Sequence, residues 1–254
     1  MALSHPINDK HLEVSNHRFN VRLAQSSEEV DQALALRYEV FGKELQYQHD
    51  YVNGKDRDRW DGQFDHLIAT QQSDGRLVGT YRMQTYEMAS QGQGFVCATE
   101  FDLSGLSQDF FNNSLEVGRS CVLKEYRKGW VLYLMWKSLS RYVFYKQKRF
   151  LFGCCSLNSQ DELEGHKLWK YLRNNGHMHP DFHISPLPQY QFKTSGKTAN
   201  TNELVLPELM RLYLQLGAKI CGAPAFDSAY KTIDFFIVVD TEMMDTKTIE
   251  RYLK

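Results

Sequence analysis

The stretch Leu115 to Trp130, LEVGRSCVLKEYRKGW, carries the residue types and spacing most suited to chemistry in this chain. In a strand, Glu116 and Gly118 project to one face and Val117 and Arg119 to the other, unless a bulge shifts the phase. A carboxylate on a central strand beside an opening turn is well placed to be a general base, and its plainer reading is a solvated or ion-paired Glu. Arg119 reads equally as an anion clamp or a structural salt bridge. The turn Tyr126-Arg127-Lys128-Gly129 stands just before a helix. Free N–H groups at a helix N-terminus bind phosphate oxygens, Gly permits close approach, and Arg or Lys adds charge.

Other chemical readings are less well supported. His177-Met178-His179-Pro180-Asp181-Phe182-His183 has metal-ligand types without helical or strand spacing, so no metal site is expected there. Ser120 lacks the Gly-x-Ser-x-Gly surroundings of a nucleophile elbow. The five cysteines, at 97, 121, 154, 155 and 221, fall mostly in apolar runs and read as reduced, buried thiols. Cys154 and Cys155 adjoin in a strand-like run, so they point to opposite faces.

The elements that must position these groups follow from periodicity. Phe19 to Leu23 alternates as a strand. Ser26-Ser27-Glu28-Glu29 caps a helix whose apolar positions run from Val30 to Phe41, ending near Gly42. Gln46 to Gly62 is polar and turn-rich and reads as a surface loop. Phe64 to Thr70 and Leu77 to Tyr86 are strands joined through Asp74-Gly75, a hairpin signal. Leu115 to Val122 is a further strand, and the strongest helix spans about 130–147. Phe150 to Leu157 is nearly all apolar, which implies cover on both faces. A helix over 162–173, a loop or lid at about 174–203, a helix at 206–216 and a strand at 233–240 complete the order. Residues 1–17 read as a flexible arm and 18–254 as one α/β domain with a mixed sheet.

Composition bounds the function. The chain has 254 residues, 30 Lys+Arg against 31 Asp+Glu and 42% hydrophobic content. That balance fits a folded protein and disfavours a basic nucleic-acid binder. No run approaches the roughly 18 apolar residues of a span, and the start has no signal-peptide core, so a cytoplasmic location is expected.

The order of elements and the strand, basic turn and helix unit resemble the GNAT acyltransferase fold, a mixed central sheet flanked by helices. More narrowly, the chain resembles the hemolysin-like acyltransferases that include ornithine lipid N-acyltransferases, with long-chain N-acyl amino acid synthases and acyl-homoserine-lactone synthases as relatives. The matching pieces are Arg37 to Phe41, Phe64 to Leu67, Val78 to Arg82, Leu115 to Val122, Tyr126-Arg127 with Gly129, Leu151 to Cys154, and a late block with Leu206-Pro207, Gly217 to Ala225, Asp227 and Asp234.

The resemblance implies transfer of a long-chain, sometimes 3-hydroxy, acyl group from acyl carrier protein to the α-amine of an amino acid, foremost L-ornithine. Glycine, glutamine or tyrosine as acceptor, a short-chain CoA-dependent acetyltransferase, and a non-enzymatic membrane-active protein are the alternatives. It implies Glu116 as base, Asp65 as partner of the substrate ammonium or of an Arg network, and Arg37, Arg82 and Arg119 as clamps or organisers. Backbone N–H groups near Ser120, Cys121 and Val122 would serve the oxyanion. Arg127, Lys128 and Gly129 would hold the phosphopantetheine arm, although the second glycine of the acetyl-CoA loop is missing. Phe41, Leu45, Tyr47, Tyr51 and Trp60 could line an acyl tunnel or be ordinary aromatics. No bound cofactor is expected: acyl carrier protein or acyl-CoA is co-substrate and the carrier protein a partner. An amphiphilic product would bring transient contact with the inner membrane.

Overall fold

The computed structural model describes residues 9–47, 51–127, 129–193 and 206–252. In chain order the strands are β1 (Val14–Ser15), β2 (Phe19–Leu23), β3 (Asp65–Gln71), β4 (Leu77–Thr85), β5 (Phe101–Asp102), β6 (Ser114–Val122), β7 (Phe150–Leu157), β8 (Ser185–Pro186), β9 (Lys219–Ile220), β10 (Ala225–Asp227) and β11 (Thr232–Asp240). The helices are α1 (Ser27–Arg37), α2 (Tyr86–Gln91), α3 (Gln108–Asn112), α4 (Trp130–Tyr145), α5 (Glu162–Asn174), α6 (Glu208–Gln215) and α7 (Thr246–Tyr252).

One large sheet runs β1-β2-β3-β4-β6-β7-β11-β10, with β9 also on β11. All its pairs are antiparallel except β6 with β7. That parallel pair is short: it holds only from Ser114↔Phe150 to Glu116↔Phe152, after which the strands lose register. At the point of divergence Gly153 lies against the Val117 carbonyl, where a Cβ would collide with that oxygen. The β6 register against β4 also shifts between Thr80↔Cys121 and Arg82↔Gly118, and Arg119 sits in the bulge at φ +49°. A non-glycine residue held there is costly and clusters at functional places.

The sheet is covered on both faces. Tyr81, Met83, Leu115 and Val117 pack with Val131, Met135 and Leu139 of α4. On the opposite face Phe152, Phe236 and Val238 pack with Phe95, Phe101 and Phe110. Alternation decides each assignment, so Cys155 joins the first layer and Cys154 the second. α1 is capped by Ser26, which accepts from the Glu29 N–H, and continues as a π-helix, Tyr38–Glu44.

Two expectations change. From residue 9 onward the presumed arm is packed: Leu12 and Val14 are buried, Ser138 donates to the Leu12 carbonyl, and β1 pairs with β2. Residues 1–8 lie outside the described residues. The presumed lid is tied down over its first part, with the His179 and Ile184 N–H groups donating to Ile220 and Cys221 and β8 pairing with β5. Its remainder, 194–203, lies outside the described residues. Among the described residues no helix is long and apolar enough to cross a membrane.

Candidate active site

Glu116 occupies the last paired position before β6 and β7 diverge, and it is buried. Its Oε2 accepts from Gln84 Nε2 at 2.5 Å and from the Val96 N–H at 3.1 Å, and its Oε1 from the Cys97 N–H at 2.7 Å. Gln84 is held in turn by Gln63, whose amide donates to Gln84 Oε1. Burial raises the Glu116 pKa, and the donors from Cys97 and Gln84 oppose that shift. The result is a buried carboxyl held above its ordinary range and oriented by neutral donors.

Beside it lies an ionic lattice. Arg37 Nε meets Asp56 at 3.0 Å and its Nη1 meets Asp61 at 2.6 Å. Arg82 Nη1 bridges Asp58 at 2.8 Å and Asp61 at 2.6 Å. Arg119 lies 3.4 Å from Asp58 and 3.5 Å from Asp56, and its Nη2 donates to the Tyr230 hydroxyl at 3.3 Å. Three arginines thus face three aspartates. Burial opposes ionisation of Asp58, but Arg82, then Arg119 and Arg37, hold its carboxyl well below the ordinary range. Arg37 and Arg82 are 1% and 2% exposed and engaged with the aspartates. Arg119 differs: its side chain retains 22% exposure, and its Nε, ion-paired with Asp56 at 3.5 Å, makes no hydrogen bond among the described residues. The loop read as surface supplies the counterions, since Asp56 and Asp61 are buried.

A second charged cluster, Glu100, Asp227 and Asp234, places carboxylate oxygens within 4.8 Å of one another. Asp234 accepts from the Ser156 and Thr232 hydroxyls, and Asp227 Oδ1 from the Ala229 and Tyr230 N–H groups. Burial pushes the Asp234 pKa up to about 6. Burial and then its two acidic neighbours push Glu100 well above the carboxylate range. Tyr47, raised to about 12 by burial with Asp234 as the next cause, borders the cluster.

Several expected site residues fall elsewhere. Asp65 is corrected: it pairs with Met83 on the α4 face and accepts from the Tyr142 hydroxyl, so alternation sets it across the sheet from Glu116. Arg127 is already engaged, doubly with Glu44 at 2.6 Å and with the Val122 carbonyl. It ties the π-helix to the turn through three of its five N–H donors. Lys128 lies outside the described residues. Gly129, at φ +149°, precedes α4 with open space where a Cβ would stand; α4 has no side-chain cap and no acid in its first turn. Cys121 and Val122 are buried in β6 and Ser120 lies in the bulge; burial pushes the Cys121 thiol up to about 12, which keeps it neutral. Phe41 stacks on Tyr47 at 5.8 Å and lies 6.0 Å from the Arg119 guanidinium, while Tyr51 packs on Tyr38 and Trp60 under Arg59. His179 uses Nδ1 to accept two backbone N–H groups, a local turn.

The sequence reading passed over Asp56, Asp58, Asp61, Gln84 and Glu100. A signal existed for the first three: arginines inside otherwise apolar strand and helix patterns need acids, and K-D-R-D-R-W-D supplies them at close spacing.

Residues 36–137 match the acetyltransferase (GNAT) domain. The chain is 31% identical to an L-ornithine N(alpha)-acyltransferase of Brucella abortus (strain 2308), over 91% of this chain and 88% of the relative. It is 29% identical to the enzyme of the same name from Rhizobium meliloti (strain 1021), over 99% and 89%. Among solved structures, the AHL synthase LasI superposes with a TM-score of 0.51 at 9% identity, covering 92% of this chain and 94% of that one, a likeness of fold.

Proposed function

The chain belongs to the L-ornithine N(alpha)-acyltransferase family, and from that premise we propose that it moves a long-chain acyl group from acyl carrier protein to the α-amine of L-ornithine, as a step toward ornithine lipid. It is an acyltransferase of GNAT fold. The observation that carries the proposal is Glu116, a buried carboxyl with a raised pKa at the mouth where β6 and β7 part.

The chemistry follows from that placement. An ammonium cannot attack a thioester, so its proton must leave first. Glu116 takes it, directly or through one water. Of its contacts the Cys97 thiol is the weakest donor, and it is the one an incoming amine or water replaces. The amine nitrogen bonds to the thioester carbon, and the carbonyl oxygen becomes an oxyanion, accepting backbone N–H groups at and just after the Arg119–Ser120 bulge. Collapse breaks the carbon–sulfur bond and expels the pantetheine thiolate, which takes up the second proton shed by the attacking nitrogen. With Cys121 neutral and Ser120 without an adjacent base, transfer is direct. Arg119, the most exposed of the three lattice arginines, takes the α-carboxylate of the acceptor. The donor arm enters between β6 and β7, its phosphate at the uncapped start of α4 near Gly129. The amphiphilic product makes brief contact with the inner membrane face.

Purified protein incubated with palmitoyl or 3-hydroxyacyl carrier protein, the matching acyl-CoA and acetyl-CoA, and a panel of amino acids tests this by mass spectrometry. N-acylornithine formed from the carrier-protein thioester is the expected product. Turnover with acetyl-CoA alone would contradict it.

A further inference from the structure

We propose that Glu100, Asp227 and Asp234 form the subsite that receives the side-chain ammonium of a diamino acid acceptor and thereby sets its identity, an inference that rests on the N-acyltransferase reading above. The three carboxylates lie within 4.8 Å of one another, yet every donor that reaches them is neutral: two hydroxyls on Asp234 and two backbone N–H groups on Asp227. Glu100 Oε2 is buried and has no hydrogen-bond partner among the described residues. Gathering carboxylates without a cation is unfavourable, and leaving an acceptor of one of them bare adds a further penalty, so the arrangement is completed by a ligand that brings positive charge and N–H donors. A primary ammonium, with three donors, matches three carboxylates.

Position selects an amino acid over a bare metal ion. On one face of β7, Phe152, Cys154 and Ser156 alternate from the Glu116 end to the Asp234 end, since Phe152 pairs with Glu116 and Ser156 with Asp234. Arg119 is close enough to act on both Glu100 and Asp234, and its side chain, 22% exposed, keeps a guanidinium edge for a carboxylate. One face of the sheet therefore presents a base for an α-amine, an arginine for an α-carboxylate and an acid cluster for a second amine. Tyr47 and Tyr230 wall it, the latter held by Arg119.

Isothermal calorimetry on the full chain, with L-ornithine and with L-norvaline, which has the same carbon chain and no terminal amine, reads the subsite without turnover. Wild-type protein is expected to prefer ornithine by at least about 100-fold, a conservative floor below the roughly 10⁴ by which a site built for a polar group rejects an analogue lacking it. Glu100→Gln and Asp234→Asn, each confirmed folded by circular dichroism, should each cut that preference by about tenfold or more. Variants that keep the wild-type preference overturn the proposal. So does a magnesium or calcium titration that fills the cluster while ornithine affinity stays unchanged. Ornithine bound through the cluster with no N-acyl product formed contradicts the reaction and leaves the subsite standing; N-acylornithine made by both variants at the wild-type KM contradicts the subsite and leaves the reaction.

Discussion

Two buried charge clusters sit side by side in this molecule, and they are built on opposite principles. In the lattice of Arg37, Arg82 and Arg119 with Asp56, Asp58 and Asp61, each charge meets its opposite, at distances from 2.6 to 3.9 Å. In the cluster of Glu100, Asp227 and Asp234, like charges converge and neutral donors are the partners. A completed set of charges holds the fold, here by pinning the 51–62 segment to α1, β4 and β6. An incomplete set is held by the fold and awaits a ligand. Arg119 belongs to both: two acids engage it from the lattice, while its field reaches the acid cluster.

Breaking the completed set should have the largest effect. Arg37→Ala leaves Asp56 buried without its nearest cation and Asp61 with Arg82 alone, a loss of about 3–5 kcal/mol on the scale of broken buried ion pairs. Denaturant melts of the purified variant measure it, and a loss under about 1 kcal/mol would mean that water or another cation replaces the guanidinium.

The incomplete set should respond to pH in a way the lattice does not. Asp234 is faced by Asp227, Glu100 and Arg119, by the Ser156 and Thr232 hydroxyls, and by Tyr47, Tyr190, Cys154 and Cys155. Of these, Asp234 is the one that gains its proton as pH falls through about 6. A cationic acceptor needs it ionised, so the KM for ornithine should climb as pH falls through about 6, by up to about tenfold per unit. A flat KM between pH 5 and 7 would detach Asp234 from the acceptor.

The smallest effect has the opposite sign from ordinary core damage. The folded pKa of Asp234 stands above its ordinary value of 3.8, so its contribution to stability is present below that value and lost as pH rises through about 6. Glu100 follows the same sign. Glu100→Gln removes one of the repelling charges and should stabilise the ligand-free protein at pH 7 by about 1 kcal/mol while damaging acceptor binding. Thermal melts that show marked destabilisation would identify Glu100 as a structural residue.

The same contrast explains what could be read from the sequence. Strong periodicity gave β2, the β3-β4 hairpin, β6, α4, β7, α5 and β11, because burial on one or both faces leaves a pattern in a single chain. Glu116, Arg119, Arg37 and Arg82 stood out as charges inside such patterns. Asp56, Asp58 and Asp61 are signalled only indirectly, by those arginines' need of acids, because a polar loop itself looks alike whether its acids meet water or arginines across the fold. Asp65 was misplaced because the side of a strand that becomes the site depends on the packing of α4. Glu100 sits between elements too short to leave a period, the two-residue β5 and a single 3₁₀ turn at Cys97–Thr99, so only the folded chain brings it to Asp234. The bulge that turns Arg119 likewise has no mark beyond the alternation it interrupts.

The role of Glu116 is tested most directly by single-turnover acyl transfer from acyl carrier protein to L-ornithine in Glu116→Gln, which keeps the shape of the side chain with one acceptor oxygen in place of two, so that either the Gln84 and Val96 donors or the Cys97 N–H loses its partner. A fall in the rate of about 10² or more, in a variant folded by circular dichroism and with ornithine affinity near wild type, is the predicted result. A variant that transfers the acyl group at the wild-type rate would remove Glu116 from the proton's path.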